Sequence, residues 1–214
     1  MSLELHPLQE SDLRRFAQIQ IAAFQGGMAT FLFPDPVTEE YVQKMVDKSK
    51  KSFNTEPDCH WVKIIDTELG GLMIACAKWR INEEERTEEE IQGMLPVPSE
   101  EEKKKPAMVD FQNHLHWARK EFMGTKPFYL LHVLVTDPKH HRRGAGARLV
   151  KWGTDKADKA GLPSYLEASE KGRLLYARLG FEEVHERVFD LGKYGLEGKE
   201  SNTIMIRPMS KPLL

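Results

Sequence analysis

The most informative part of the chain reads Leu130-Leu131-His132-Val133-Leu134-Val135 and, shortly afterwards, His141-Arg142-Arg143-Gly144-Ala145-Gly146. The first run predicts a buried strand, and residues Ala147 to Ala160 after the second run predict a helix. Gly144 and Gly146 let the backbone approach a ligand closely, and the free N–H groups at a helix start, with Arg142 and Arg143, favour a pyrophosphate. This strand, turn and helix therefore predict a site for a phosphorylated ligand.

The residues downstream of the turn add a strand, a helix and another strand. Ser164-Tyr165-Leu166-Glu167-Ala168 predicts the first strand, residues 172–179 predict the helix, and the next strand starts at Gly180-Phe181-Glu182. With Val135-Thr136-Asp137-Pro138 before the glycine turn and Leu175-Tyr176-Ala177-Arg178-Leu179-Gly180-Phe181 after it, this order resembles the GCN5-related N-acetyltransferases, the GNAT family. Residues 128 to 190 carry the resemblance, and residues 1 to 80 agree with it in pattern.

The resemblance implies that acetyl-coenzyme A (acetyl-CoA) is the cosubstrate. The residues that would hold its pyrophosphate are those of the turn: His141, Arg142, Arg143, Gly144, Ala145, Gly146 and Ala147. Its pantetheine arm would meet backbone atoms of Leu134, Val135 and Thr136, and Ser169 stands where many family members have Asn. His141 replaces the usual Gln or Arg, so pyrophosphate binding is expected to depend on pH, because imidazole titrates near neutrality.

Acetylation of an amine requires proton transfer at two points. Aliphatic amines have a pKa of about 10 and are mostly protonated at neutral pH, so a base is needed, and an acid must protonate the departing thiolate. The period of a strand places His132 on the same face as Leu130 and Leu134, where its imidazole is either that base or a hydrogen-bonded core histidine. The arylalkylamine branch of the family carries a histidine at the equivalent place and a second one where this chain has Leu130.

Two further side chains are catalytic candidates. Tyr176 stands where the resemblance implies the acid that meets the coenzyme sulfur, and its phenol stays protonated at neutral pH; the alternative is an aromatic anchor that packs its helix. Glu167 is either a carboxylate that relays protons or binds a cationic acceptor, or an ion-paired strand residue. The resemblance also implies that the backbone N–H of Val135 polarises the acetyl carbonyl.

Composition narrows the class of protein. A length of 214 residues fits one domain, or one domain with an insertion, and a net charge of −2 provides no field that would recruit nucleic acid or an anionic membrane. No apolar run approaches membrane-spanning length. Cys59 and Cys76 suggest neither a disulfide framework nor a zinc site, and no histidine pair has metal-ligand geometry, so we expect no metal and a cytoplasmic protein with reduced thiols.

The coarse organisation agrees with a mixed α/β sheet of about seven strands flanked by helices. A short strand at Leu3 and Leu5 precedes a helix capped by Ser11 or Asp12, Thr38 caps a second helix, and residues 61–65 and 72–79 predict a hairpin. Residues 82–125 form a charged insertion between the third and fourth strands, with Phe111, Leu115, Ala118 and Phe122 at helical spacing. A Gly-rich connection, residues 192–201, separates the last two strands.

The acceptor is less defined than the cosubstrate. The resemblance implies that it enters between residues 24–36 and residues 192–202, and the first of these loops is apolar, with Phe24, Met28, Phe31, Leu32 and Phe33. These side chains suit a small apolar or aromatic amine, unless they simply belong to the core. Three hypotheses remain: an N-acetyltransferase for a small amine, an acetyltransferase for protein lysines or N-termini, and a CoA-binding module without catalysis. No serine or cysteine carries a nucleophile signature, so direct attack within a ternary complex is expected.

Overall fold

The computed structural model of the chain describes residues 2–31, 33 and 36–209. The strands are β1 (Leu3–Pro7), β2 (Cys59–Asp66), β3 (Leu72–Asn82), β4 (Phe128–Thr136), β5 (Ser164–Ser169), β6 (Glu182–Asp190) and β7 (Lys199–Arg207). The α-helices are α1 (Leu13–Ala23), α2 (Glu39–Thr55), α3 (Glu88–Gln92), α4 (Pro106–Phe122), α5 (Ala145–Ala160) and α6 (Glu170–Arg178). The predicted α/β class is confirmed.

One mixed sheet contains all seven strands of the described residues, in the order β1-β2-β3-β4-β5-β7-β6. The predicted hairpin is present as the antiparallel pair β2 and β3, and β1 adds to it antiparallel, with Leu3 opposite Asp66. At the other end β7 lies between β5 and β6 and is antiparallel to both. The neighbour of β5 in the sheet is therefore β7 and not β6, the next strand along the chain.

The chain divides into two compact units, each assembled from three segments. The first unit consists of Met1–Gln25, Phe33–Ile81 and Leu130–Lys156. The second consists of Gly26–Leu32, Asn82–Tyr129 and Ala157–Leu214. The prediction of a single domain with an insertion at 82–125 stays a prediction.

The first unit has a core between α1 and the strands β2, β3 and β4. It contains Leu8, Leu13, Phe16, Ile19, Trp61, Met73, Cys76 and Val135, all at most 7% exposed. The predicted cap Thr38 accepts a hydrogen bond from the N–H of Tyr41 and starts α2. Asp12 occupies the N-cap position of α1, as one of the two predicted caps, but its carboxylate makes no capping bond to this helix: a 3-10 turn, Glu10–Asp12, precedes α1, and the Asp12 carboxylate accepts from the N–H of Gln9 and binds Lys63.

Helix α5 is fixed to β3 by one buried indole. Trp79 is 0% exposed, and its Nε1–H donates to the carbonyl of Leu149 at 3.2 Å. The backbone of α5 can approach the ring because residue 153 is glycine, where a Cβ would lie 2.2 Å from Cε2 of Trp79. The helix that follows the glycine turn is thereby held rigidly within the first unit.

The second unit contains the insertion, whose predicted helix is confirmed as α4. Its buried face joins Ala107 and Phe111 to Phe189, Leu191 and Leu196 in one apolar cluster. Two boundaries differ from prediction, because the supposed connection 192–201 contains a 3-10 turn, Leu191–Tyr194, and β7 already starts at Lys199. None of the helices in the described ranges is long and apolar enough to cross a membrane.

Candidate functional site

The turn before α5 has the backbone geometry of an anion site. The helix starts at Ala145, two residues earlier than predicted, and the carbonyl of Gly144 accepts from the N–H of Arg148 at 3.2 Å. The N–H groups of residues 145–147 therefore have no acceptor within the helix. Gly144 has φ +83, a conformation that favours glycine, and nothing lies within 4 Å of where its Cβ would be. The open space and the free N–H groups fit an anionic group such as a pyrophosphate.

Two side chains of the turn itself, those of His141 and Arg143, bind residues outside it. The His141 imidazole lies 3.1 Å from the carbonyl of Thr136 through Nε2. Arg143 forms an ion pair with Asp66 at 2.6 Å, and Asp66 is only 1% exposed. Arg142 is exposed and has φ 61, in the left-handed region. Both arginines were expected to face the anion, whereas the structure commits the guanidinium of Arg143 to Asp66.

The strand before the turn is buried over its first half and partly exposed over its second. Residues 128–131 of β4 are buried, whereas His132, Val133, Leu134 and Thr136 are partly exposed and Val135 is buried in the core of the first unit. The predicted residues His132, Leu134, Val135 and Thr136 all belong to this second half, where some side chains are accessible to a ligand.

Tyr176 lies on α6, in the second unit, and is 9% exposed. Its ring packs edge-on against Phe181 with the ring centroids 6.1 Å apart, and a Cβ on Gly172 would lie 2.7 Å from Cε2 of Tyr176. Burial raises the pKa of Tyr176 above its ordinary value. The phenol therefore remains a hydrogen-bond donor throughout the neutral range.

Glu167 on β5 is an ion-paired residue in the structure. Its two oxygens accept from Nε and Nη2 of Arg119 on α4, at 2.7 and 3.0 Å, and both side chains are 7% exposed. Burial alone would lower the pKa of Arg119, but the Glu167 carboxylate raises it. Ser169, at the end of β5, is exposed. Glu167 was a candidate for a proton relay, an acceptor-binding carboxylate or an ion-paired strand residue, and this geometry supports the ion pair.

The two units thus each contain part of the predicted site. The first unit brings together the turn 141–147 and the β4 residues 132–136, and the second contains Glu167, Ser169 and Tyr176. Sequence reasoning missed Asp66 and Arg119, which lie far along the chain from the residues they bind. No local pattern marks such partners.

In the second unit, aromatic side chains from the two loops expected to admit the acceptor contact each other. Phe31, from the loop before α2, and Tyr194, from the β6–β7 connection, pack edge-on with centroids 5.9 Å apart. Both adjoin the cluster that contains Phe111 of α4, and the Tyr194 hydroxyl donates to Asp110 of α4 at 2.7 Å. The side chain of Met28 and the whole of Leu32 lie outside the described residues. The insertion therefore joins the two loops and adds a carboxylate to them.

One group of possible metal ligands occurs among the described residues, formed by Glu56, Asp58 and Cys59 within 4.8 Å of one another. Cations of the protein already occupy it: Lys78 lies 3.2 Å from Glu56, and Arg80 binds Asp58 at 2.9 Å. Burial raises the pKa of Cys59 to about 12, so this thiol is not a ready metal ligand. The group is a charge-balanced cluster.

The chain belongs to the acetyltransferase (GNAT) family. The model of that family matches residues 27–181, more than half of the chain, including the turn, β4, β5 and α6. The fold and the family agree, so the chain is an acetyltransferase by family, and the resemblance seen in the sequence is confirmed.

The individual proteins that the chain resembles match it only over a short segment or at low sequence identity. The probable acyltransferase SID5 of Ajellomyces capsulatus is 40% identical over 45 residues, which are 21% of this chain and 33% of that protein, so the match spans about a third of the length of this curated relative. A histone acetyltransferase HPA2 and related acetyltransferase from Corynebacterium glutamicum is 17% identical, with 100% of both chains covered and a TM-score of 0.63. A putative acetyltransferase, yncA from Salmonella typhimurium, solved with its cofactor acetyl-CoA, is 11% identical, with 100% of this chain and 98% of that chain covered and a TM-score of 0.59. The two structures share the fold.

Proposed function

We propose that the chain transfers the acetyl group of acetyl-CoA to the primary amine of a small molecule, by direct attack of the amine within a ternary complex. The observation that carries the proposal is the turn before α5, with Arg142 and Gly144 in the left-handed region and N–H groups at the helix start that have no acceptor within the helix. Acetyl-CoA would supply the thioester there. The Salmonella relative of the same fold, which was solved with acetyl-CoA, supports this choice of cosubstrate.

The roles of the side chains follow from their surroundings. His132, in the partly exposed section of β4, would take the proton from the amine. Tyr176, kept protonated by burial, would donate to the coenzyme sulfur as the thiolate leaves. The N–H of Val135 would polarise the acetyl carbonyl. Glu167 would act as a relay only if it were released by Arg119, so we assign it the lesser role.

An acyl-enzyme is disfavoured by the state of both cysteines. Cys76 is 0% exposed, and burial raises its pKa. Burial also raises the pKa of Cys59 to about 12, so that its reactive thiolate is scarce at neutral pH. Direct attack by the amine needs neither thiol.

The acceptor is proposed from the second unit. The loops that the family resemblance assigns to the acceptor are joined there by α4, which contributes aromatic surface from Phe111 and a carboxylate from Asp110 beside Tyr194. Aromatic rings and a carboxylate are the groups that bind an alkylammonium with an apolar body. A basic peptide would instead require an extended acidic groove, so acetylation of protein lysines or N-termini is the second candidate, and a CoA-binding module without catalysis the third.

The first experiment is a calorimetric titration of the purified protein with acetyl-CoA. The variant Gly144→Val/Gly146→Val is expected to lose binding, and Gly161→Val is the matched control, since Gly161 also has a positive φ and free space around it but lies after α5. Binding by the control and not by the double variant supports the proposal. If the unaltered protein does not bind acetyl-CoA, the proposal is wrong.

The second experiment identifies the acceptor class. A panel of arylalkylamines and alkyl diamines is compared with lysine-containing peptides and free peptide N-termini, by release of free CoA. Turnover of amines with a kcat/KM at least about tenfold above that of any peptide supports the small-amine proposal. The reverse ratio supports the protein acetyltransferase, and binding without any turnover supports the module without catalysis.

A further inference from the structure

The anion turn contains a backbone conformation that has to be supported. Arg142 has φ 61, and it is the non-glycine residue with positive φ in the described part of the chain. An L-residue in the left-handed region is disfavoured by about 1–2 kcal/mol, and it persists where the surrounding structure holds it. The contacts of its two neighbours therefore decide whether the turn keeps its shape.

Both neighbours are held, but by bonds of different strength. On one side His141 meets the Thr136 carbonyl at 3.1 Å in an exposed contact. On the other side Nη2 of Arg143 lies 2.6 Å from Oδ2 of Asp66 and 3.5 Å from the hydroxyl of Ser2. A charge-assisted bond to a buried carboxylate is the stronger of the two. The support of the turn therefore depends mainly on Asp66.

Asp66 is itself rigidly placed. It is the last residue of β2, paired with Leu3 of β1 and Leu72 of β3, and its Oδ1 accepts from the N–H of Glu68 at 3.1 Å. Arg148, one turn into α5, donates to the carbonyl of Leu3, so the strand ends around Asp66 also hold the helix start. A carboxylate so fixed determines where the Arg143 guanidinium lies.

The negative charge of Asp66 gives a second argument for its role. A bare carboxylate next to an anion site would repel a pyrophosphate, so an aspartate there is unfavourable unless a cation neutralises it. Arg143 provides that cation, so its positive charge neutralises Asp66 and does not attract a ligand. An ion pair that contributes no net charge to an anion site has a positional role.

We propose that Asp66 is a positioning residue of the acetyl-CoA site: through Arg143 it holds residues 141–144 in the conformation that presents Arg142 and the helix-start N–H groups of residues 145–147 to the pyrophosphate. This inference rests on the proposed function. Asp66 would touch neither the coenzyme nor the acceptor.

The test is calorimetric titration with CoA, without an acceptor, of Asp66→Asn, Arg143→Gln and the double variant. Asparagine keeps an oxygen for the Glu68 N–H and removes only the charge. We expect each single change to raise the Kd about tenfold, and the double variant to be no weaker than Arg143→Gln, because two residues that act through one contact are not additive. The matched control is Asp155→Asn, which breaks an exposed ion pair with Lys151 on α5 and should leave the Kd unchanged.

One further variant and a kinetic readout separate positioning of the turn from general damage to the fold. Arg143→Lys keeps a cation for Asp66 and should bind CoA within about threefold of the unaltered protein, so Arg143→Gln and Arg143→Lys decide the matter even if Asp66→Asn does not fold. Asp66→Asn should raise the KM for acetyl-CoA and leave kcat at saturation unchanged.

The outcomes distinguish the two proposals. If the unaltered protein does not bind CoA, the proposed function fails. If it binds CoA and Asp66→Asn binds as tightly as Asp155→Asn, or the double variant shows the product of the two single effects, Asp66 does not position the turn through Arg143.

Discussion

Arg119 and Glu167 form a buried bidentate ion pair that joins the insertion helix α4 to the strand β5. Two N–H groups of the guanidinium meet the two carboxylate oxygens at 2.7 and 3.0 Å, and each side chain is 7% exposed. The pair lies within the second unit, so it fixes the inserted segment to the strand that carries two predicted site residues, Glu167 and Ser169. The insertion is thus built into the fold.

Replacing one member of this ion pair should destabilise the protein more than replacing both members. Arg119→Met and Glu167→Gln each leave a buried group without its partner, and we expect each to lower the free energy of unfolding by about 3 kcal/mol, whereas Arg119→Met/Glu167→Leu should recover most of the loss. Urea unfolding followed by circular dichroism measures all three. Losses below about 1 kcal/mol in both single variants would show that the pair is solvated and does not fix α4.

Alanine at position 153 should destabilise the protein although alanine favours helices. Its Cβ would lie 2.2 Å from the Trp79 ring, which is fully buried and cannot move away freely. Overpacking of this kind costs about 1–3 kcal/mol, more than the roughly 1 kcal/mol that alanine gains over glycine in a helix. Thermal unfolding should show a lower Tm for Gly153→Ala. Gly93→Ala is the control, since a Cβ there meets only the Glu90 carbonyl at 3.6 Å, and a Tm equal in the two variants would contradict the packing argument.

Local sequence signals are sufficient to predict several elements of the first unit. The apolar run of β4, the glycines before α5 and the Thr38 cap each depend on residues within a few positions, and the structure has all three. The start of α1 follows Asp12 as predicted, but the expected capping bond from its side chain is absent for a physical reason. Asp12 has a distant partner in Lys63 and a local one in the Gln9 N–H, and these bonds take the carboxylate away from the helix start.

The contacts that shape the site could not be predicted in the same way. Asp66 and Arg143, or Arg119 and Glu167, are brought together by strand pairing and helix packing, and one aspartate at the end of a strand resembles any other in sequence. Tyr176 is a candidate because the family resemblance marks its position, whereas its burial depends on its packing against Gly172 and Phe181, which the sequence does not show. The sequence therefore predicted the glycine turn before α5, and tertiary contacts explain its shape.

The stability of the first unit should depend on pH through Glu56. Burial raises the pKa of this carboxyl, but Cys59, Ser52, Lys78 and Arg80 together lower it from 4.5 to about 2. A lowered pKa in the folded state means that the stabilisation is fully present above pH 4.5 and is lost as the pH falls towards 2.

Glu56→Gln tests this linkage. Because the Glu56 side chain is 35% exposed, solvent screening reduces the effect, and we expect a loss of about 1–2 kcal/mol at pH 7 that shrinks to nearly nothing at about pH 2. Urea unfolding at several pH values gives the difference curve. Glu40→Gln, on the preceding helix α2 and in an exposed pair with Lys44, should show no such curve. A loss independent of pH would mean that the carboxylate charge is not what stabilises the cluster.

Removal of the Tyr176 hydroxyl should lower kcat rather than weaken binding. Burial keeps the phenol protonated beyond the ordinary tyrosine pKa of about 10, so in the unaltered enzyme ionisation of Tyr176 should cause no loss of kcat up to that pH. Tyr176→Phe retains the ring against Phe181 and removes only the donor, and we expect kcat to fall at least about tenfold with the KM for acetyl-CoA changed less than threefold. Tyr41→Phe, on α2, is the matched control for loss of a tyrosine hydroxyl. If Tyr176→Phe keeps full kcat while its Tm falls, Tyr176 is a packing residue, and the proton for the thiolate comes from another group or from water.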